Sequence, residues 1–477
     1  MWLAILIAVW LAGWLCIPHL LLLNKRPTAT LAWLWAIFLF PVFGAVLYLA
    51  IGSERVKRQR RVRRLEFRSA DRLVSGRDET GEAAALRADE SPLVPEERAL
   101  LHGLGAITQL PLATASALEI LYKGAAFYGA LRKAIEGAER EVHVDSYIWR
   151  DDEVGAEFLD LLIATAKRGV TVRLLLDELG CHELRDRYFR PLIAAGGHFS
   201  WCHTLSPLRG RYSFNLRNHR KLQIIDGRIA FVGGMNIGRE YLGRDPALGD
   251  WSDMQLRVEG RVVEVFRQIF AEDWFFATGQ EDLLEKNGFD PGPGGNILTQ
   301  VLRGGPDEED HPMLRANMLL VAAAKKRLWI ATGYFVPGET MQTALQVAAA
   351  RGVDVRLLVS SKSQHPHLVL VGRSYYDALL RQGVRIFEYD LGIDHSKYMV
   401  LDDDWSTIGS SNFDERSMRL NFELSLLMHH AGVNEHLAGI FSDSIARSHE
   451  IDRAAFAQRP LRQRLVESAL RPMSPVL

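Results

Sequence analysis

One short pattern occurs twice in this chain, and it limits the possible folds more than any other feature. His219-Arg220-Lys221 is followed by Asp226 within HRKLQIIDGRIAFVGGMN, and His395-Ser396-Lys397 by Asp402 within HSKYMVLDDDWSTIGSSN. Each copy reads His-x-Lys-x4-Asp and runs on to a small-residue turn ending in Asn, at Asn236 and Asn412. The copies lie 176 residues apart with every landmark at the same offset. A lone His-x-Lys arises by chance on many solvated strands. Two copies with matched downstream Gly and Asn imply a duplicated unit.

The flanks repeat as well. RGVTVRLL from Arg168 matches RGVDVRLL from Arg351. In the first half a helix from Tyr128 to Ala138 leads to the strand VHVDSYIW, then a helix from Gly155 to Lys167 and the strand VTVRLLL. The second half repeats the order: helix Met313 to Lys325, strand RLWIATGYF, helix Thr340 to Ala350, strand VDVRLLV. This alternation predicts an α/β layer architecture with mixed sheets. Two similar halves paired about a pseudo-twofold axis would bring both His-x-Lys elements to one interface. GFDPGPGG, with two Pro and four Gly, marks the break at 288–296 between halves spanning 106–287 and 297–456.

Two apolar runs come first, Met1 to Leu23 and Leu31 to Gly52, separated by Asn24-Lys25-Arg26-Pro27. Each is long enough to cross a hydrocarbon core of roughly 30 Å. Pro18 and Pro41 are tolerated in membrane helices, and Trp2, Trp33, Trp35 and Tyr48 suit interfacial anchors. A signal peptide fits badly, because no basic segment precedes the run and no small-residue cleavage site ends it. Seven Lys or Arg between Arg55 and Arg64 then place the long C-terminal part in the cytoplasm, in a multi-pass inner-membrane protein. That basic collar opens a charged linker over 53–105, and a basic tail closes the chain over 457–477. The net charge of −1 identifies no partner, and Cys16, Cys181 and Cys202 show neither zinc-ligand spacing nor a disulfide framework.

Strand alternation divides each motif. His219 and Lys221 share a face, as do His395 and Lys397, whereas Asp226 and Asp402 point the other way and suit a turn or a core hydrogen bond. Two His, two Lys and two Asn without a carboxylate among them make a poor metal cage but a good phosphate cradle. One imidazole attacks phosphorus and the other protonates the leaving oxygen when their protonation states differ. Each needs a partner for its second nitrogen, and two carboxylates at equivalent places offer one: Asp253, 34 residues after His219, and Glu423, 28 residues after His395. Glu423 is the one charge in the run between Asn421 and His429.

These elements resemble the phospholipase D superfamily, and more closely its bacterial cardiolipin synthases. The likeness extends through SYIWRDDEVG, GYFVPGE, SSNFDERSMRLNFE and RPTATLAWLWAIFLFPVFGAVLYLAIG, and covers nearly the whole chain outside the linker and tail. It implies two phospholipase D-like halves and a metal-free, cofactor-free phosphatidyltransferase acting through a phosphohistidine. Two phosphatidylglycerols would become cardiolipin and glycerol at a membrane. The same likeness puts His219, Lys221, Asp226, His395, Lys397 and Asp402 in the catalytic set, with His219 as nucleophile and His395 as acid and then base. Asn236 and Asn412 would bind phosphate with the lysines. A phospholipase D-type hydrolase releasing phosphatidic acid is the alternative; a nuclease lacks the basic, aromatic-laced face nucleic acid needs, and a scaffold has no need of two intact pairs. Oligomeric state is left open. Two stretches depart from the family: Asp394 beside His395 is expected to raise that imidazole's pKa, and His365 and His367 in SSKSQHPHL are expected as a surface or headgroup feature rather than metal ligands.

Overall fold

The structure, a computed structural model, describes residues 14–22, 27–49, 93–203, 216–243, 249–281, 283, 294–308 and 310–474. Each half is built on one mixed sheet, and the two sheets share a strand order. In the first half it runs Ala117–Tyr122, Met254–Glu259, Ile229–Gly233, Lys221–Ile225, Glu141–Ser146, Thr171–Leu176, His198–Trp201. In the second it runs Ile297–Gly304, Asn421–His429, Trp405–Gly409, Tyr398–Leu401, Arg327–Thr332, Asp354–Ser360, Arg385–Tyr389. In both, the last three strands of this shared order are parallel and the others antiparallel, and the second sheet adds Leu112–Ala115 at one edge and Ser448–Glu450, antiparallel to Arg385–Tyr389, at the other.

The literal Arg-Gly repeat has a structural cause. Gly169 and Gly352 follow the helices Glu153–Lys167 and Gly338–Ala350 with φ of 90° and 88°, which glycine adopts without steric cost. The arginines before them reach back to cap neighbouring helices. Arg168 donates to the carbonyls of Ile135, Glu136 and Ala138, and Arg351 to those of Ala322 and Ala324.

Outer helices cover each sheet. Phe127, Leu131, Phe158 and Leu162 close one outer core, and Leu320, Met341, Leu345 and Leu379 the other. Between the sheets lies a third core shared by Leu222, Val232 and Leu256 of the first half and Val400, Ile408 and Leu426 of the second. The helices Val262–Thr278 and Ala431–Ile445 contribute Phe266, Phe270, Leu437 and Phe441 to it. The halves are therefore joined by a continuous apolar layer.

Three expectations need correction. The boundary at 106 falls inside a helix, Pro95–Thr108, whose Leu100, Leu101 and Leu104 are buried against Leu314 and Leu320 of the second half. The strand after it, Leu112–Ala115, pairs with Ile297–Gly304, so 95–115 belongs to the second sheet although it precedes the first half in sequence. The expected single strand through His219 is also interrupted: Arg217–Asn218 pairs with Asn421–Phe422 across the halves, while Lys221–Ile225 pairs within its own sheet. His219 stands where the backbone changes partner. Finally, the apolar run over 31–52 does not form one helix. It divides into Pro27–Leu39 and Pro41–Leu47, because Pro41 has no N–H to continue the hydrogen-bond ladder. Among the described residues no helix is long and apolar enough to cross a membrane, and much of the expected span over 1–23 lies outside those residues.

Candidate active site

The two histidines are held by the same device, each using the other half. The His219 N–H donates to the carbonyl of Phe422 at 2.9 Å, and the next residue, Glu423, places both carboxylate oxygens 3.0 Å from His219 Nδ1. The His395 N–H donates to the carbonyl of Ser252 at 2.7 Å, and the next residue, Asp253, places Oδ2 2.8 Å from His395 Nδ1. Both carboxylates lie on histidine Nδ1 atoms, and the pairing is crossed. Each serves the histidine of the opposite half, because the residues just before it pair across the interface, Asn421–Phe422 with Arg217–Asn218 and Asp250–Ser252 with Gly392–Asp394. Nδ1 is occupied in both rings, which leaves both Nε2 atoms for chemistry.

A tyrosine meets each imidazole edge-on from the equivalent strand end: Tyr147 at 5.0 Å from His219 and Tyr334 at 5.5 Å from His395, ring centre to ring centre. Both lie in stretches the sequence singled out, SYIW and GYFVPGE, without an assigned role. Trp251 adds a third contact to His395 at 5.5 Å. Gly333 is required beside it, since a Cβ there would come 2.6 Å from the His395 ring.

Both lysines are buried. Lys221 Nζ donates to the His219 carbonyl at 2.6 Å and lies 5.2 Å from the centre of the Tyr147 ring. Lys397 Nζ bonds the His395 carbonyl and lies 2.6 Å from His395 Nδ1 and 3.5 Å from Asp253 Oδ2. Burial brings Lys221 down to about 7, and Lys397 is lowered for the same reason. Burial, then the charges of Lys221, Lys397 and Arg416, holds His219 well below the usual imidazole value. Burial and then Lys397 bring His395 down to about 4. That Lys397 acts on His219 and Lys221 on His395 shows how closely the two motifs converge.

The carboxylates differ. Burial pushes Glu423 up to about 7, and its oxygens accept from Ser410 Oγ at 2.5 Å and Asn421 Nδ2 at 3.3 Å. Asp253 is equally buried, but Lys397 and the His395 hydrogen bond outweigh burial and hold it below the usual carboxylate value. Gly234 occupies the position equivalent to Ser410, and a Cβ there would come 2.2 Å from Asp253 Oδ1.

The remaining motif residues separate. The Asp226 carboxylate accepts from the backbone N–H groups of Glu139, Arg140 and Glu141, and Asp402 from those of Lys325, Lys326 and Arg327. Both sit in the left-handed region, with φ of 53° and 46°, at the strand end away from the histidines. Asp226 and Asp402 therefore leave the catalytic set and act as loop clamps. Asn236 is also engaged elsewhere: Oδ1 accepts from Ile148 N–H and Nδ2 donates to Tyr241 Oη. Asn412 Oδ1 is buried with no hydrogen-bond partner among the described residues, so Asn412 is the less committed amide.

Asp394 does not raise His395. Its carboxylate accepts from Ser396 N–H, and burial raises Asp394's own pKa toward the neutral form. His365 and His367 are exposed at the start of the helix Pro366–Arg381, with His365 6.1 Å from the Tyr334 ring. Among the described residues the one His/Asp/Glu group with ligand atoms close enough for a metal is Glu97, Asp404 and His429. It lies beside the turn after Asp402, remote from the paired histidines.

A family model described as "Cardiolipin synthase, PLD-like domain" matches residues 131–274 and 319–445. A second, "Phospholipase_D-nuclease N-terminal", matches residues 7–53. The chain is 36% identical over 463 residues to a cardiolipin synthase of Geobacillus thermodenitrificans, covering 95% of this chain and 90% of that one. It is 34% identical over 464 residues to a cardiolipin synthase of Alkalihalophilus pseudofirmus, with the same coverage. A solved phosphatidylserine synthase of Haemophilus influenzae shares the fold, with a TM-score of 0.61 at 15% identity over 79% of this chain and all of that one.

Proposed function

This chain belongs to the cardiolipin synthase family of phospholipase D-like enzymes, and on that premise we propose that it moves a phosphatidyl group from one phosphatidylglycerol to another, forming cardiolipin and releasing glycerol. The observation that carries the reading is the crossed bracing of two buried imidazoles, each with Nδ1 on a carboxylate and Nε2 free at one interface.

His219 Nε2 attacks phosphorus of the first phosphatidylglycerol, and the P–O bond to glycerol breaks as His395 gives its proton to the departing oxygen. The second phosphatidylglycerol returns a proton to His395 from its glycerol hydroxyl, which attacks phosphorus as the P–N bond to His219 breaks. The carboxylates fit these roles. Asp253, held ionised, stabilises an imidazolium at His395, while Glu423 accepts from His219 Nδ1–H and so leaves the lone pair on Nε2 of a ring that burial, Lys221 and Lys397 keep neutral. Burial and Lys397 keep His395 at about 4, so the anionic phosphate of the substrate must raise it for the first step. Lys221 and Lys397 supply charge to the phosphoryl oxygens and Asn412 a neutral donor.

The setting is a membrane. The apolar runs 1–23 and 31–52, with the basic collar behind them, support a two-span anchor with the enzyme body on the cytoplasmic side. A C-terminal reporter active only in the periplasm should stay silent; activity there reverses the topology. For the chemistry, purified enzyme is given phosphatidylglycerol vesicles and the products are resolved by mass. Cardiolipin and glycerol in equal amounts are expected, and phosphatidic acid alone would identify a hydrolase instead.

A further inference from the structure

The last α-helix among the described residues, Leu461–Leu470, has two sides that are treated differently. Its inner side is fastened. Glu467 is buried and accepts from Arg459 Nε at 2.9 Å and Gln463 Nε2 at 2.9 Å. Arg459 also makes a paired contact with Asp377 at 2.9 and 3.3 Å, and Arg471 lies over the Tyr375 ring at 4.4 Å while donating to Gln342. Asp377 and Tyr375 belong to the helix Pro366–Arg381, on which this last helix packs. Two arginines of the basic tail, Arg459 and Arg471, are thus spent on anchoring it.

The outer side is apolar and uncovered. Leu461 is 68% exposed, Leu465 60% and Val466 44%, with Met473 beyond the helix at 48%. At 3.6 residues per turn, Leu461, Leu465, Val466 and Ala469 span an arc of about 140°. Arg462 projects within that arc and Arg464 about 60° beyond its Leu461 end, both exposed and, among the described residues, without an ion pair. An apolar strip with exposed guanidiniums within and beside it, on a firmly held helix, matches the boundary between acyl chains and anionic headgroups. The supporting helix begins just after His365, which lies 6.1 Å from the Tyr334 ring, itself 5.5 Å from His395, so such docking would fix how the site's mouth meets the bilayer.

We propose that Leu461–Leu470 is a membrane-docking element that lays its exposed apolar arc into an anionic phospholipid surface, with Arg462 and Arg464 on headgroup phosphates. This rests on the lipid-surface setting proposed above and is tested apart from the chemistry. Full-length enzyme with Cys16→Ser and Leu465→Cys carries an environment-sensitive fluorophore at 465, the other cysteines, Cys181 and Cys202, being buried. It is reconstituted in phosphatidylglycerol or phosphatidylcholine vesicles with brominated acyl chains. Blue-shifted emission quenched by the bromines in phosphatidylglycerol, and much less in phosphatidylcholine, is the expected result. Arg462→Ala and Arg464→Ala should each lower the docked-to-free ratio about fivefold, the equivalent of ~1 kcal/mol per basic residue. A fluorophore that stays in water on phosphatidylglycerol overturns the proposal. So does an equal blue shift on both lipids with a doubled particle mass, which marks self-association. Cardiolipin formed without docking sinks this inference alone, whereas docking without cardiolipin sinks the reading of the active site.

Discussion

Glu423 and Asp253 divide the labour of the two histidines, and their difference is chemical rather than positional. Replacing either by its amide keeps the size but loses the charge that fixes the ring and its tautomer. Glu423→Gln and Asp253→Asn should each lower kcat by roughly 10³-fold or more, with phosphatidylglycerol binding little changed; a loss below tenfold would deny them that task. A second outcome follows from burial and Lys397 holding His395 at about 4. At pH 6 it is neutral and Lys221, at about 7, is already charged, so a bound anion that raises His395 draws a proton onto it. Binding of phosphatidylglycerol to His219→Gln at pH 6 should take up close to one proton, measured as the dependence of binding heat on buffer ionisation enthalpy. His219→Gln/His395→Gln should take up almost none, and equal uptake by both would place the proton elsewhere. The sequence marks Glu423 as a charge isolated among apolar neighbours. It does not reveal whose imidazole that charge holds, because the answer depends on a strand that crosses between the halves to a histidine 204 residues away in sequence.

At the scale of elements, the same turn is built twice and clamped twice. Asp226 and Asp402 each gather three backbone N–H groups that no strand partner satisfies. Asp226→Ala should destabilise the protein by about 2–3 kcal/mol and lower its thermal midpoint, with kcat per folded molecule nearly kept; an inactive but fully stable variant would return Asp226 to the catalytic set. Gly234→Ala makes the opposite expectation. Its Cβ would press on Asp253, and a displacement of that order costs about 10²-fold in kcat. Side-chain alternation was enough to set the aspartates apart from His and Lys. It was not enough to show the strand breaking at His219, since pairing partners are chosen by tertiary packing. Nor did it expose the engagement of Asn236, which Tyr241 holds from five residues away through a short helical turn.

For the whole molecule, the repeat in sequence became a repeat in topology, with the same strand order on both sides of one shared core. What the repeat concealed is that the halves are not independent. Residues 95–115 complete the second sheet from in front of the first, and each histidine depends on the other half for both its N–H and its Nδ1. A chain beginning at residue 117 should therefore lose stability in its second half, seen as a separate low-temperature transition, although every motif residue is retained. A single unshifted transition would show that segment to be dispensable. Neither half alone should turn over substrate. The central claim is that His219 carries the phosphatidyl group while His395 moves the proton. Its most direct test is peptide mass mapping of enzyme denatured during turnover of phosphatidylglycerol: a phosphatidyl adduct on His219 is predicted, and an adduct on His395, or cardiolipin formed with no adduct on either histidine, would contradict it.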